Sequence, residues 1–291
     1  MSSMSEKVLI AGGGIAGLAT GLALTRAHAD VHILERAPKL TEVGAGVQLG
    51  PNVTRILDAW GLLPAVQKVA FYPKNLQARN ANSGEVLATL SLSDIAKRYG
   101  SPYITIHRAD LQNILLQEVH SSGITLQCDT HVQKLHQDSR QVDVTFSEGM
   151  PANGDANETA STSMQDQSQS QSQSQSQSQS QSESADALVI ADGVWSNLRQ
   201  QLLGDGPPRM TGHLAYRALV QQADLPTHLR TQDVSVWMGN KVHVVQYPVR
   251  KGEWLNVVCL TEGQLQGVSM QDLQDWNVSK DRKSTRLNSS H

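Results

Sequence analysis

The stretch Lys7-Val8-Leu9-Ile10-Ala11-Gly12-Gly13-Gly14-Ile15-Ala16-Gly17 decides the fold of this chain. Residues 7–11 form a short, mainly apolar run that reads as a parallel strand buried on both faces. Ile15, Leu18, Ala19, Leu22 and Ala23 then recur at helical spacing, and Val31-His32-Ile33-Leu34 supplies a second strand. This is a βαβ opening. Gly12, Gly14 and Gly17 occupy the three fixed places of GxGxxG between strand and helix. Gly12 permits the tight turn. Gly14 lets backbone N–H groups approach a pyrophosphate at the helix start, where Ile15 and Ala16 complete the candidate site. Gly17 lets the helix pack close to the sheet. Glu35 ends the second strand, where a carboxylate can accept hydrogen bonds from a ribose diol. The pattern points to a bound dinucleotide.

Further along, a glycine-rich loop (Gly44-Ala45-Gly46) precedes a helix predicted from Pro51 to Trp60, then a loop-and-strand region to about Gly100. Asp110 is positioned to cap a helix whose Leu111, Ile114, Leu115 and Val119 share one face and which Gly123 ends. Ile124–Cys128 and Val142–Phe146 alternate like half-exposed strands. From Ser147 to Ser184 the sequence becomes polar and ends in a Gln-Ser repeat, with too little apolar content for a core. It reads as a disordered insertion lengthening a hairpin connection between Val142–Phe146 and Ala187–Ile190, with a polar zipper for a partner as the alternative. Strands are predicted at Leu214–Leu219, Val234–Met238, Val242–Tyr247 and Trp254–Leu260, with a turn at 249–253. Since no helices intervene, they imply an antiparallel sheet and a second domain.

Composition excludes several classes of function. A net charge of -3 gives no basic field for nucleic acid. Cys128 and Cys259 lie far apart and in no metal-ligand pattern, so they read as two buried thiols in a reducing cytoplasm rather than a disulfide or metal site. The start of the sequence lacks the long apolar core of a signal peptide, and no apolar run has membrane-spanning length. The expected location is cytoplasmic, with no membrane partner.

Three later segments narrow the cofactor. Glu35-Arg36 followed by Glu42-Val43-Gly44-Ala45-Gly46-Val47-Gln48-Leu49 and Pro51-Asn52, then His107-Arg108-Ala109-Asp110-Leu111, then Ala191-Asp192-Gly193-Val194-Trp195-Ser196 stand in order along the chain. Together they resemble the FAD-dependent aromatic-ring hydroxylases, the class that includes salicylate hydroxylase and 3-hydroxybenzoate 6-hydroxylase. The resemblance spans about Val8 to Leu260 apart from the Gln-Ser insertion. It implies an α/β fold in which a Rossmann-type FAD-binding βαβ domain carries an antiparallel-sheet substrate domain, as in para-hydroxybenzoate hydroxylase. It implies FAD held by Gly12, Gly14, Ile15, Ala16, Gly17, Glu35, Arg36, Val47, Gln48, Arg108 and Asp192. Taken alone, Arg108 could simply pair with Asp110, and Asp192-Gly193 could be an ordinary turn. Ile190 departs from the small residue usual before Ala-Asp-Gly, which questions close packing there.

The resemblance further implies that NADH or NADPH reduces FAD and that O2 then provides the oxygen atom placed on a phenolic ring. His213 is the candidate base for the phenol proton, with Tyr216 and Arg217 orienting a hydroxybenzoate- or salicylate-like acid and Gln246 and Tyr247 lining the pocket. The implied domains are 1–70 (FAD-binding), 71–103 (substrate strands), 104–200 (FAD-binding, with the insertion at 147–184) and 201–280 (substrate sheet). Residues 281–291, Asp281 to His291, match the in-frame translation of a sequencing-library adapter. They are set aside as non-native, a short basic binding tail being the alternative. The gene is therefore expected to continue past about Lys280, into a second flavin-binding segment absent here. Two rival readings are an inactive truncated flavoprotein that at most binds nucleotide, and another flavin oxidoreductase of the same fold, such as an epoxidase or an amine oxidase.

Overall fold

A computed structural model describes residues 5–41, 45–149, 180–209 and 211–262. The opening unit forms as its sequence dictates: strand β1 (Lys7–Ala11), helix α1 (Ile15–Arg26) and strand β2 (Asp30–Leu34). Strand β3 (Gly46–Leu49) leads to α2 (Pro51–Ala59), which Pro51 starts in the first turn, where its missing N–H costs nothing. The next region holds two short helices that the periodicity did not reveal, α3 (Leu63–Gln67) and, after strands β4 (Asn75–Asn80) and β5 (Val86–Ser91), α4 (Leu92–Tyr99). Ser91 caps α4 by accepting from the Asp94 N–H, and Gly100 ends it at φ +70°.

Strand β6 (Ile104–His107) runs straight into α5 (Arg108–Ser121), so His107, not Asp110, occupies the cap position, and its side chain does not cap the helix. The Asp110 carboxylate instead accepts from Arg250 Nε and Nη2 at 3.1 and 3.2 Å. Strands β7 (Thr125–Gln127), β8 (Thr130–Gln137), β9 (Val142–Glu148), β10 (Ser180–Ala185) and β11 (Ala187–Ile190) follow, then α6 (Asn197–Leu203). The last described elements are β12 (His213–Gln221), β13 (Val234–Gly239), β14 (Val242–Val249) and β15 (Trp254–Glu262).

The first sheet is parallel throughout, in the order β11-β1-β2-β7. Its strands are covered on both sides. Ile10 and Ile33 pack with Leu18 and Leu22 of α1 and Leu111, Leu115 and Val119 of α5. Leu9, Ala11 and Leu34 point the other way, onto Val132, Val142, Val144 and Phe146 of an antiparallel sheet ordered β10-β9-β8. Alternation along each strand thus feeds two cores.

The hairpin expected around the polar insertion is real but differently built. Strand β9 pairs with β10, so Ser180 to Ser184 and Ser147 at the two ends of the tract lie in strands, not in a loop. Pairing uses backbone groups and requires no apolar side chains. Glu183 adds a charged anchor to Lys7 Nζ (3.0 Å) and His32 Nδ1 (2.9 Å). Ala187–Ile190 instead joins β1 in the parallel sheet. Ile190 is accommodated there, opposite Ala11 and at the rim of the core shared with the β10-β9-β8 sheet. Residues 150–179 of the insertion and the tail 281–291 lie outside the described residues.

A third sheet has the order β12-β15-β14-β13-β4-β5. The four late strands are antiparallel, as expected, but β13 meets β4 in parallel, so the sheet is mixed. That pairing joins segments too distant in sequence for a local pattern to reveal. A two-stranded ribbon, β3-β6, lies beside it. Among the described residues, no helix is long and apolar enough to cross a membrane. Cys128 and Cys259 are free and half-buried rather than fully buried.

Candidate functional site

The turn between β1 and α1 shows why each glycine is needed. A side chain on Gly12 (φ +108°) would strike the Ala191 carbonyl and Asp192, and one on Gly17 would collide with the Gly12 carbonyl oxygen. Beside Gly14 there is open space, with nothing within 4 Å of the place a Cβ would occupy. Gly14 is also the cap residue of α1 and makes no side-chain bond, so the amides of the first turn face this space. A phosphate fits that combination of free donors and helix-end potential.

Glu35 stands beside the turn. Its Oε2 accepts from the Gly13 N–H at 2.5 Å and its Oε1 from the Ala37 N–H at 2.7 Å. Both oxygens keep further lone pairs for a diol. The loop after β11 closes the other flank: the Ala191 N–H donates to the Ala11 carbonyl at 2.8 Å, setting exposed Asp192 against Gly12. His131 of β8, which the sequence reading missed, lies within electrostatic reach of both Arg36 and Asp192. Burial pushes its imidazole down, the Arg36 charge pushes the same way, and Asp192 opposes them. The structure therefore gathers Gly12, Gly14, Ile15, Ala16, Gly17, Glu35, Arg36 and Asp192 at one end of the parallel sheet.

The β3-β6 ribbon assembles a second group. Val47 pairs with Ile106 and Gln48 with Thr105, while the Arg108 N–H donates to the Ala45 carbonyl at 2.9 Å. Val47, Gln48 and Arg108 thus share one ribbon and its helix start. Residues Glu42 to Gly44 of this loop lie outside the described residues.

The ribbon packs against one face of the six-stranded sheet. Gly46 sits so close that an added Cβ would be 2.6 Å from Tyr247 Cε2 and 3.0 Å from Asn256 Cγ and Val249 Cγ1. Register fixes which other residues share that face: Asn256 is opposite Tyr247 and Leu219, and Val258 is opposite Val245 and Arg217. His213 and Arg217 fall on this face, and Tyr216 on the other, because neighbours on a strand point apart. The same parity separates Tyr247, which faces the ribbon, from Gln246. The expected pairing of Tyr216 with Arg217 as joint orienting groups is corrected on that ground. His213 is exposed at the start of β12, its Nδ1 3.1 Å from the Thr211 carbonyl.

Two tyrosines finish the seam. The Tyr103 hydroxyl donates to Gln48 Oε1. Burial, reinforced by the neighbouring Tyr247, pushes the Tyr103 phenol up to about 12. Burial raises Tyr247 as well, against its hydrogen bond with Gln48 and the Arg217 charge. Both phenols stay protonated at neutral pH and act as donors, not bases. Tyr103 gave no local signal in the sequence. Asn256 did: an amide between Leu255 and Val257 in an apolar strand calls for a partner.

Comparison with known proteins fits this geometry. The model of a family described as an FAD binding domain matches residues 5–156. The chain is 35% identical over 253 residues to 3-hydroxybenzoate 6-hydroxylase of Polaromonas naphthalenivorans (strain CJ2), covering 86% of this chain and 55% of that protein. It is 32% identical over 254 residues to 3-hydroxybenzoate 6-hydroxylase of Klebsiella oxytoca, covering 87% and 56%. The chain thus spans a little over half the length of these curated relatives. Among solved structures, Klebsiella pneumoniae HpxO complexed with FAD and uric acid superposes with a TM-score of 0.69 at 22% identity, over 92% of this chain and 59% of that one. CtdE in complex with FAD and substrate 4 gives a TM-score of 0.73 at 18% identity, over 97% and 62%. At these identities the two structures establish a shared fold.

Proposed function

Because the chain belongs to the FAD-dependent aromatic hydroxylase family, we propose that it binds FAD and uses NADH or NADPH and O2 to hydroxylate a phenolic aromatic acid of the hydroxybenzoate or salicylate class. The observation that carries this reading is the seam where the ribbon bearing Val47, Gln48 and Arg108 meets the sheet face bearing Arg217 and Tyr247. FAD there would supply two-electron exchange with the nicotinamide and activation of O2. The amides from Gly12 to Gly17 would hold its pyrophosphate, Glu35 its ribose, and Arg36 and Asp192 would flank them. Val47, Gln48 and Arg108 would bound the flavin. On the sheet, Arg217 would attract the carboxylate of the acid and His213 would take the phenol proton, which makes the ring more electron-rich. Tyr103 and Tyr247, being protonated, would donate hydrogen bonds and keep bulk water from the seam.

The division into a cofactor part (1–70 and 104–200) and a substrate part (71–103 and 201–280) belongs to the same proposal. So does a cytoplasmic location, which the free thiols of Cys128 and Cys259 suit. The test is an oxygen-electrode panel of hydroxybenzoates and salicylate with FAD-loaded protein. We expect at least one acid to accelerate NAD(P)H and O2 consumption and to be recovered hydroxylated. FAD-loaded protein that no acid stimulates would refute the hydroxylase reading.

A further inference from the structure

Three polar side chains of the seam tie the cofactor ribbon to the substrate sheet: Thr105 donates its hydroxyl to the Pro248 carbonyl, Tyr247 hydrogen-bonds Gln48, and Asn256 alone among them holds a glycine amide. The Gly46 N–H donates to Asn256 Oδ1 at 2.8 Å, across 210 residues of sequence. Asn256 is 1% exposed, and its Nδ2 is buried with no hydrogen-bond partner. An unpaired amide donor destabilises a core, and a leucine of similar size would fill the same space without it. Packing alone therefore does not favour asparagine here. What the position uses is the carbonyl oxygen, which satisfies a Gly46 amide that closely packed Tyr247 and Val249 screen from water.

The bond also sits at a sensitive point. Val47 and Gln48 follow Gly46 directly, and the Ala45 carbonyl before it accepts from the Arg108 N–H. Fixing Gly46 thus fixes how deeply the ribbon seats on the sheet, and with it Val47, Gln48 and Arg108. We infer that Asn256 is a positioning residue, a latch that sets the β3 ribbon against the substrate sheet for the cofactor. This rests on the function proposed above.

The test compares N256D, which keeps an acceptor oxygen, with N256L, which keeps the volume and loses it. Amide hydrogen exchange at Gly46 is measured in FAD-free protein, and FAD affinity by fluorescence titration. The latch predicts slow Gly46 exchange in the wild type and N256D, and exchange at least tenfold faster in N256L. FAD should bind about tenfold more weakly to N256L and within threefold of wild type to N256D. A packing role predicts the reverse ranking, because N256D would bury a charge while N256L would fit. N256L exchanging like the wild type would overturn the latch, as would equal loss in both variants. Should N256L fail to fold, an unprotected Gly46 amide in folded wild-type protein overturns the latch by itself, and a protected one supports it. The exchange measurement needs no cofactor. A wild type that binds no FAD would therefore refute the cofactor reading while leaving the latch to be decided by exchange.

Discussion

The parallel sheet and the six-stranded sheet position chemistry by different means. In the parallel sheet, Leu9, Ile10 and Ile33 are completely buried, and most of the apolar side chains pack into one of two cores. What it offers a ligand is backbone: the amides of the glycine turn, supported by Glu35. In the six-stranded sheet, β12 alternates between exposed and half-buried residues from His213 to Arg217, and β5 is exposed over most of its length. Its offering is side chains sorted by parity, where a slip of one residue would exchange Arg217 for Tyr216. A backbone site tolerates little change in the atoms around it but much in the side chains that point away. A side-chain site behaves the other way round.

The strongest way to break this contrast is at the glycines. Gly17→Ala should place a methyl against the Gly12 carbonyl. We expect a loss of roughly 3 kcal/mol or more, beyond ordinary overpacking because the obstruction is backbone, with FAD binding abolished. Gly14→Ala, which meets open space, should change stability by less than about 1 kcal/mol while still weakening FAD by crowding the pyrophosphate. Thermal melts and FAD titration check both. Equal destabilisation by the two variants would mean the turn is not held as described.

A smaller effect tests parity in the second sheet. Arg217→Ala should raise KM for the aromatic acid about tenfold or more, the value of one charge-assisted hydrogen bond. Tyr216→Phe, on the opposite face, should leave KM within about threefold. Steady-state kinetics on the FAD-loaded protein read out both, and a larger effect at Tyr216 would invert the assignment of faces.

The mildest prediction concerns pH at the cofactor end. The His131 pKa is lowered in the folded protein, chiefly by burial and then by Arg36. A histidine with a depressed folded pKa contributes its full stability above the unfolded value near 6.5. That contribution declines as pH falls below it, because the unfolded chain takes up the proton first. Denaturant titrations at pH 7.5 and 5.5 should show wild-type protein losing stability on acidification, with His131→Gln losing less. An identical pH slope in the variant would exclude this residue as the source.

How much was legible in the sequence follows the same division. The glycine turn, its helix and Glu35 depend on residues within about thirty positions of each other, and local pattern suffices for that. The late strands were legible too. Which strands they joined was not, because the β13–β4 pairing is selected by the whole sheet. Asp110 has the chemistry of a cap, but the continuous passage from β6 into α5 left it to Arg250 instead. Ser180 to Ser184 look unsuited to a strand by composition, yet backbone pairing with β9 and the Glu183 anchor are enough. The one avoidable error was to place Tyr216 and Arg217 together, since strand parity alone separates them.

The parallel junction of β4 with β13 also has a consequence in time. Asn75 and Asp233, which hydrogen-bond at that junction, are 158 residues apart. At about 5–20 residues per second, a ribosome needs on the order of 8–30 s to deliver the second after the first. A hairpin such as β4–β5 closes in roughly 1–10 μs, so this one is complete long before its partner strand exists. Throughout that interval Leu76 and Ala78 lie on an unfinished edge. The order of synthesis, as much as the final free energy, therefore makes the nascent β4 edge the place where this chain is most open to pairing with the wrong strand.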